Sequence, residues 1–361
     1  LAATDGAVVQ FDRVIVEGPD ALLFPNRSVL GIIGIMTTLH VHFDRPLTND
    51  ESGYLKPALL ADIAVTEGGD PPAETDILIS GRPTRAQLAA APGLRAVVIP
   101  WAGLPDEARD LMRDFPGITV HNLHHNAAPV AELAVALLLA AAKFVLRYDR
   151  ALRANDWRIR YERSTPTVLL EGRTALILGY GAIGRRVAGI CRALGMTTLA
   201  TRRNLAAPTS DGETEVHPAG SLRELLPRAA AVIICLPHTP ETDGLLGAAE
   251  LALLPAGAVL VNIGRGPIVD EKALYEALRD GRLGAAGLDV WYSYPPDAAA
   301  RAGWPPSAYP FHELDNVVMS PHRGGAADET PRLRMAALAE MLNAAAEGRE
   351  MGNVVDVGVG Y

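Results

Sequence analysis

Cysteine is scarce in this sequence, and long apolar runs are missing. The 361 residues include two cysteines, Cys191 and Cys235, each inside an apolar segment. A disulfide framework would need more, so we interpret both as buried free thiols, as expected in a reducing compartment. No apolar stretch reaches the roughly 18 residues of a membrane-spanning helix, and no signal peptide is visible. We therefore expect a cytoplasmic protein with no membrane partner.

Basic residues are outnumbered by acidic ones. Lys and Arg total 33 against 42 Asp and Glu, a formal net charge of -9 at pH 7. Nucleic acids select basic surfaces, so we expect no nucleic-acid partner and interpret the acidic excess as a solubilising surface. A set of metal ligands is also missing. His121, His124 and His125 have no cysteine or carboxylate in their short segment, so we expect no metal site, and at most one of them facing a cleft.

Short apolar runs alternate with helical periods along the chain, a pattern typical of parallel βα units. A single long helix is predicted at 128–153, with Pro129 in its first turn. The series before this helix predicts strands at 62–66, 76–80, 95–100 and 118–122, with helices at 84–91 and 106–115. The series after it predicts strands at 174–178, 197–201, 231–236, 258–263, 285–290 and 316–320, with helices at 182–194, 222–228, 271–280 and 329–347.

Two such series in a chain of this length predict two domains. We expect an α/β protein with two Rossmann-like, doubly wound parallel-sheet domains and a cleft between them. The substrate domain would comprise 1–126, completed by 326–361, and the nucleotide domain would comprise 127–325. The long irregular stretch 292–311 either lines this cleft or is a surface insertion.

A glycine-rich segment follows the first strand of the second series and reads Gly179-Tyr180-Gly181-Ala182-Ile183-Gly184. Strand, glycines, helix and second strand occur in the order of a dinucleotide-binding βαβ unit. Gly179 allows the tight turn, Gly181 lets a diphosphate approach the backbone, and Gly184 lets the helix pack closely on the strand. The helix N-terminus offers free N–H groups to the phosphates. We predict that this segment binds a nicotinamide dinucleotide.

An acidic residue is missing where such units usually bind the ribose hydroxyls. The second strand of the unit ends in Thr201-Arg202-Arg203. A carboxylate there would repel a 2′-phosphate, whereas guanidinium groups attract one through charge-assisted hydrogen bonds. We therefore predict NADP(H) in preference to NAD(H). The alternative is that both arginines are solvated surface residues.

Four other segments follow predicted strands, and open α/β sheets bind ligands at such carboxyl ends. They read Cys-Leu-Pro-His-Thr-Pro-Glu-Thr at 235–242, Val-Asn-Ile-Gly-Arg-Gly-Pro-Ile-Val-Asp at 261–270, Gly-Leu-Asp-Val at 287–290 and Ser-Pro-His-Arg-Gly-Gly at 320–325. Together with the glycine turn, they resemble the D-isomer-specific 2-hydroxyacid dehydrogenase family, which includes phosphoglycerate, glycerate/glyoxylate and formate dehydrogenases. The resemblance is densest from 126 to 325.

The resemblance implies roles for individual residues. Arg265 would hold the substrate carboxylate and polarise its carbonyl, because a planar guanidinium makes bidentate hydrogen bonds to a planar anion. His322 would be the general acid/base, since imidazole exchanges protons near neutral pH. Asp289 would contact the nicotinamide end of the cofactor. The substrate-side wall would be formed by Trp101, Ala102, Gly103 and Asn126, and further cofactor contacts by Leu236, Pro237, Thr242, Ile263, Gly264, His322 and Gly324.

The sequence departs from the family's pattern at Tyr294. The family usually has a glutamate here that pairs with the catalytic histidine, whereas 289–295 reads Asp-Val-Trp-Tyr-Ser-Tyr-Pro. A phenol orients an imidazole only weakly and hardly stabilises its protonated form. Three alternatives stay open. Glu313 orients His322 in place of the missing glutamate; the Tyr294 hydroxyl supports His322, which then has a lower pKa; or hydroxyacid turnover is weak.

We predict an oxidoreductase that transfers hydride between NAD(P)H and a small 2-oxo or 2-hydroxy acid, specific for the D-isomer by resemblance. One alternative is a nucleotide-binding protein without turnover, such as a sensor. Another is a formate-type dehydrogenase, because formate oxidation needs no proton relay and 291–295 partly resembles the corresponding stretch of formate dehydrogenases. The family is typically dimeric, so the resemblance also implies a homodimer, with 157–167 as a candidate arm.

Overall fold

The computed structural model describes residues 38–162 and 167–361. Thr38–Tyr361 forms one compact unit, which contains two separate sheets. Residues 1–37 of the predicted substrate domain and residues 163–166 of the candidate arm lie outside the described residues.

The first sheet consists of five parallel strands near the start of the described chain. They are β1 Leu39–Phe43, β2 Ile63–Glu67, β3 Ile77–Ile79, β4 Ala96–Ile99 and β5 Thr119–Asn122, with helices α1 Asn49–Leu55, α2 Arg85–Ala90 and α3 Asp106–Met112 between them. Their order in the sheet is β2-β1-β3-β4-β5. The order reverses direction at β1, as in doubly wound sheets. Because every pair is parallel, the carboxyl ends of all five strands lie at the same edge of the sheet.

The sequence pattern did not predict β1 or α1. In β1, His40 and His42 interrupt the apolar alternation, yet His42 is 1% exposed and its ring is 2.9 Å from the Thr66 hydroxyl on β2. A buried histidine satisfied by a neighbouring strand carries no local signal. Helix α1 is short and begins with a capping box, in which Thr48 and Glu51 bond each other's backbone N–H groups.

The predicted single helix at 128–153 is wrong. The structure has two helices, α4 Ala127–Ala142 and α5 Val145–Arg153, bent by 65°. Phe144 lies between them in the left-handed region at φ +53°, and its side chain is buried against the core around α4. Burying a phenylalanine ring contributes about 1.5–3 kcal/mol, whereas a left-handed backbone costs about 1–2 kcal/mol. Burial of the ring therefore offsets the cost of the left-handed backbone.

The second sheet has eight strands and follows α5. In chain order the elements are β6 Thr174–Leu178, α6 Ala182–Ala193, β7 Thr197–Arg202, β8 Thr209–Asp211, β9 Thr214–Pro218, α7 Leu222–Leu225, β10 Ala231–Ile234, α8 Ala248–Leu251, β11 Ala258–Asn262, α9 Glu271–Arg279, β12 Leu283–Leu288, β13 Val317–Met319 and α10 Thr330–Ala346. The strand order is β13-β12-β11-β10-β6-β7-β9-β8. All pairs are parallel except the β8–β9 hairpin, which sequence analysis also did not identify.

Two long helices connect these sheets to distant parts of the chain. Helix α4 packs on the second sheet, where Gly287 of β12 admits it so closely that a Cβ there would lie 2.7 Å from the Leu137 Cβ. Helix α10 returns to the first sheet, and Met335, Leu338 and Leu342 join its core. The predicted α/β class with two parallel sheets is thus confirmed, and the predicted domain boundaries at 126 and 326 remain a prediction.

Within the described part of the chain, no single helix has both the length and the apolar composition to cross a membrane. The pair α4 and α5 reaches that length only when taken together across the bend.

Candidate active site

The glycine turn after β6 has three glycines with three different steric environments. Gly179 has φ +97°, a left-handed conformation that favours glycine. A Cβ on Gly184 would lie 2.1 Å from the Gly179 carbonyl oxygen, so only glycine fits between strand and helix. A Cβ on Gly181 would meet nothing within 4 Å. The backbone at Gly181 therefore faces open space of the kind that a diphosphate needs, and the predicted roles of all three glycines fit this geometry.

Helix α6 begins at this turn with Gly181 as its N-cap. Its first-turn N–H groups and positive dipole end are suited to an anion. The Tyr180 side chain, in contrast, is 5% exposed and donates a 3.2 Å hydrogen bond to Asp211. Its backbone N–H donates to the Thr201 carbonyl at 2.9 Å. Tyr180 therefore supports the turn from within the protein.

Asp211 lies near the turn and had no predicted role. It lies on the β8–β9 hairpin and forms an ion pair with Arg185, whose guanidinium stacks 4.8 Å above the Tyr180 ring. The Asp211 carboxylate is thus paired with Arg185 and does not lie at the end of β7. There, Arg202 and Arg203 are exposed and form no ion pair with any residue in 38–162 or 167–361.

A cleft of about 540 Å³ lies between loops from the two sheets. On the second-sheet side it begins at the phosphate-facing turn, with Gly181, Ala182 and Ile183. Its predicted lining residues are Leu236, Pro237, Ile263, Gly264, Arg265 and Tyr294 from the second sheet, and Trp101, Ala102 and Gly103 from the first. The structure thus brings the predicted substrate wall and the predicted cofactor loop to one place.

Several predicted residues lie beside the cleft rather than in its wall. Asn126 is not part of the wall, and its side-chain nitrogen would lie 2.7 Å from a Cβ on Gly325. Thr242 donates its hydroxyl to the Pro237 carbonyl at 2.7 Å and so shapes the loop that lines the cleft. His124, one of the three clustered histidines, does line the cleft. No group of three or more potential metal ligands occurs among the residues that the structure describes.

Arg265 projects from a tight turn at the end of β11. Asn262, which is 1% exposed, clamps this turn: its Nδ2 donates to the Arg265 carbonyl at 2.9 Å, and its Oδ1 accepts from the Gly264 N–H at 3.0 Å. Across the cleft, a Cβ on Gly103 would lie 2.7 Å from Nη2 of Arg265. The guanidinium therefore reaches the first-sheet loop. Asn262 had no predicted role, although a buried asparagine at a strand end was a usable signal.

His322 contacts Tyr294, the residue at the position of the family's glutamate. The Tyr294 hydroxyl oxygen is 3.0 Å from Nδ1 of His322 and accepts the Trp291 backbone N–H at 3.1 Å. His322 has φ +58°, an uncommon conformation for a non-glycine residue. Glu313, the alternative partner, is exposed and lies 4.0 Å from His312. The structure therefore pairs the imidazole with a phenol.

Asp289 holds the loop that carries His322. Its Oδ1 accepts the Ser320 hydroxyl at 2.5 Å and the Arg323 N–H at 2.8 Å, and its Oδ2 accepts the Gly324 N–H at 3.0 Å. The residue is 2% exposed. These three bonds explain how the backbone at His322 maintains its left-handed conformation. The predicted contact between Asp289 and the nicotinamide remains a prediction.

The electrostatic surroundings of His322 favour the neutral imidazole. Burial lowers the pKa of His322 below its usual 6.5, the nearby Arg265 guanidinium lowers it further, and only Asp289 opposes them. Burial also raises the pKa of the Tyr294 hydroxyl. A carboxylate partner would have favoured the imidazolium ion, whereas a neutral phenol does so hardly at all. Near neutral pH we therefore expect an uncharged His322–Tyr294 pair beside a charged Arg265.

Residues 135–324, which contain this turn, Arg265 and His322, match the model of the D-isomer specific 2-hydroxyacid dehydrogenase, NAD binding domain. The chain belongs to this family. The match confirms the resemblance seen in the sequence and assigns the second sheet to binding a nicotinamide dinucleotide.

Relatives in the family include reductases and dehydrogenases. A glyoxylate reductase of Aeropyrum pernix is 40% identical over 232 residues, which are 63% of this chain and 65% of that protein. A D-3-phosphoglycerate dehydrogenase of Methanocaldococcus jannaschii is 31% identical over 241 residues, 66% of this chain and 43% of that one. The chain thus spans between about two fifths and two thirds of the length of these relatives.

Among solved structures, a D-isomer specific 2-hydroxyacid dehydrogenase from Xanthobacter autotrophicus Py2, in complex with NADPH and MES, superposes with a TM-score of 0.72. It is 27% identical, and the alignment covers 90% of this chain and all of that one. The present chain therefore shares its architecture with this solved family member over nearly the whole of its described length.

Proposed function

We propose that this chain is an NADP(H)-dependent oxidoreductase that transfers hydride between the nicotinamide and C2 of a small 2-oxo or 2-hydroxy acid, with D-configuration at the alcohol. The observation that carries the proposal is the meeting of three features at one cleft. The phosphate-facing turn at Gly181 and the guanidinium of Arg265 both line it. The His322–Tyr294 pair adjoins it, since Tyr294 is part of the wall.

Arg265 would bind the acid group. Its side chain is steadied by a 2.7 Å bond from Nη1 to the Gly264 carbonyl, and Nη2 faces the loop at Gly103. A guanidinium held in this way can grip a carboxylate through two parallel N–H···O bonds. The grip orients C2 of the substrate, and the positive charge stabilises the negative charge that develops on the C2 oxygen.

His322 would exchange a proton with the substrate oxygen. Its Nδ1 is hydrogen-bonded to the Tyr294 hydroxyl, whereas its Nε2 has no hydrogen-bond partner among the residues that the structure describes. Nε2 would therefore be the atom that exchanges a proton with the substrate oxygen. In reduction, Nε2–H would donate to the oxygen as hydride arrives at C2; in oxidation, Nε2 would accept the alcohol proton. When bound, the nicotinamide supplies or accepts the hydride.

The first test follows the absorbance of NADPH in the presence of glyoxylate, hydroxypyruvate and other 2-oxo acids between pH 5 and 8. Reduction needs protonated His322, and burial and Arg265 lower the pKa of that residue. We therefore expect kcat/KM to fall as pH rises through a midpoint below about 6.5. In Tyr294→Glu, a carboxylate would favour the imidazolium, so the midpoint should move to higher pH.

A nucleotide-binding protein without turnover is the second candidate, because a phenol replaces the carboxylate at His322. Tight NADPH binding with no reduction of any 2-oxo acid across this pH range would support it and reject our proposal.

Preference for NADP(H) is the next part of the proposal. Arg202 and Arg203 are exposed at the end of β7, and the nearby Asp211 is tied to Arg185. For Arg202→Ala/Arg203→Ala we expect NADPH affinity to fall about 10- to 100-fold, because exposed charge-assisted bonds to the 2′-phosphate are lost. NADH affinity should change little. Fluorescence titration measures both, with Arg223→Ala, an exposed arginine on α7, as the control. An equal loss for both nucleotides would contradict the assignment.

A homodimer is the last part. Large apolar side chains are exposed on α5 and the segment after it: Val145, Leu152, Trp157, Tyr161 and Leu169. Such exposure suits a contact surface, and we propose that a second copy covers it. Light scattering after gel filtration should give the mass of a dimer for the native protein and of a monomer for Trp157→Glu/Tyr161→Glu. Tyr54→Glu, which changes an exposed tyrosine on α1, should leave the mass unchanged. A monomeric native protein would rule the dimer out.

A further inference from the structure

The partner of His322 can either donate or accept a hydrogen bond. One acceptor position of the Tyr294 hydroxyl is filled by the Trp291 N–H at 3.1 Å. The hydroxyl proton and a second acceptor position remain for Nδ1 of His322 at 3.0 Å. When the hydroxyl donates, Nε2 carries the proton; when it accepts from Nδ1–H, Nε2 presents a lone pair. Both states leave the ring uncharged, which a carboxylate partner does not favour.

The groups that face the imidazole act in two directions. Arg265 contributes a positive charge that disfavours the imidazolium, and Tyr294 is an undissociated phenol that hardly stabilises it. Asp289 alone favours the imidazolium, and its carboxylate already accepts three hydrogen bonds from the loop 320–324. Burial and Arg265 hold the pKa of His322 below its usual value. A neutral imidazole is a poor acid, because losing its only N–H proton would leave an imidazolate anion. Only the small protonated fraction can deliver a proton to a ketone oxygen near neutral pH.

Reduction of a protonated imine does not require the protein to donate a proton. In a 2-oxo acid, hydride adds to C2, the electron pair of the C=O bond moves to oxygen, and that oxygen needs a proton. In a 2-iminium acid, hydride from reduced nicotinamide adds to C2 and the electron pair of the C=N bond moves to nitrogen. The products are a neutral amine and oxidised nicotinamide, and the amine later takes its proton from water. Charge and electrons balance without a protein acid.

We propose that this site reduces 2-imino acids in their protonated form, and that it favours them over 2-oxo acids near neutral pH because Tyr294 leaves His322 uncharged. Arg265 grips the carboxylate as before. Nε2 of His322, in the tautomer that donates Nδ1–H to Tyr294, accepts a hydrogen bond from the iminium N–H. An imidazolium at this place would instead repel the cationic substrate. This inference names a substrate class and rests on the proposed hydride-transfer function.

The test measures NADPH oxidation near pH 7.5 with pyruvate or glyoxylate, alone and with methylammonium chloride, which forms the imine in solution. Potassium chloride at equal ionic strength is the control for salt. We expect the amine to raise the rate of NADPH oxidation at least about tenfold, because general acid catalysis, which the iminium does not need, is worth about 10²- to 10⁴-fold. We also expect mass spectrometry to find the N-methyl amino acid. Tyr294→Glu should reverse this preference, with faster 2-oxo acid reduction and slower imine reduction.

The outcomes separate this inference from the proposed function. If 2-oxo acids are reduced and methylammonium changes neither rate nor product, the imine preference is wrong and the hydroxyacid function stands. If Tyr294→Glu changes both reactions by the same factor, the charge argument is wrong. If NADPH binds and neither substrate class is reduced at any pH from 5 to 8, both proposals are rejected.

Discussion

Replacing Arg265 with lysine is expected to lower kcat/KM for 2-oxo acid reduction by about 10²- to 10³-fold while changing NADPH affinity little. Truncating one partner of a hydrogen-bonded charge pair costs about 2–5 kcal/mol, and each 1.36 kcal/mol is about a factor of ten in rate. Lysine keeps the charge but loses the planar pair of N–H donors. It also loses the bond from Nη1 to Gly264 that orients the side chain.

Steady-state kinetics with a saturating nucleotide will measure the effect, which should appear in both KM and kcat because Arg265 both binds the carboxylate and stabilises the transition state. Arg279→Lys is the matched control, since Arg279 is exposed on α9, away from the cleft lining, and its contacts are an ion pair with Asp280 and the ring of Tyr275. A variant at position 265 that keeps the native kcat/KM would remove Arg265 from the site.

Replacing Gly181 with alanine is expected to lower nucleotide affinity without lowering stability, whereas replacing Gly184 with alanine is expected to lower the folding stability. In Gly181→Ala the new methyl group enters open space, so the melting temperature should stay near the native value. The same methyl occupies the approach to the diphosphate, and we expect nucleotide affinity to fall at least about 100-fold because charge-assisted bonds to the backbone are lost. In Gly184→Ala the methyl meets the Gly179 carbonyl oxygen, and overpacking of this kind costs about 1–3 kcal/mol of folding free energy.

Thermal unfolding and calorimetric titration with NADPH, applied to both variants, will separate the two effects. Gly189→Ala, on the same helix with only one distant neighbour, is the control. Native nucleotide affinity in Gly181→Ala would show that the diphosphate does not approach this backbone, and the whole assignment of the cleft would fail with it.

The parts of the site that were predictable are those whose chemistry is contained in consecutive residues. The six-residue turn 179–184 specifies a left-handed glycine, a close helix–strand contact and a helix N-terminus within one segment, so no distant residue is needed to interpret it. Arg265 and His322 were identified through their segments, and the structure places Arg265 in the cleft wall and His322 beside it. Six of the eight strands of the second sheet were found for a similar reason, since most of them are short apolar runs.

The parts that were missed depend on residues far apart in the chain. Asp211 reaches Tyr180 across 31 positions, and a hairpin of exposed polar residues gives no apolar pattern to signal it. The break at Phe144 was not predicted, because the alanine- and leucine-rich sequence around it suits a continuous helix and only the core decides that the ring is buried. Strand β1 was missed because His42 finds its partner on another strand.

The sequence by itself determined that two series of βα units would form, that one of them carries a dinucleotide turn, and that tyrosine stands where the family has glutamate. Only the tertiary structure decided what that tyrosine does. Trp291 and Tyr294 come from one loop and His322 from another, 28 residues away, and their contact follows from how β12 and β13 lie side by side. Local sequence specifies backbone shape and chemical type, whereas the charge state of an imidazole depends on which groups folding brings within a few ångströms of it.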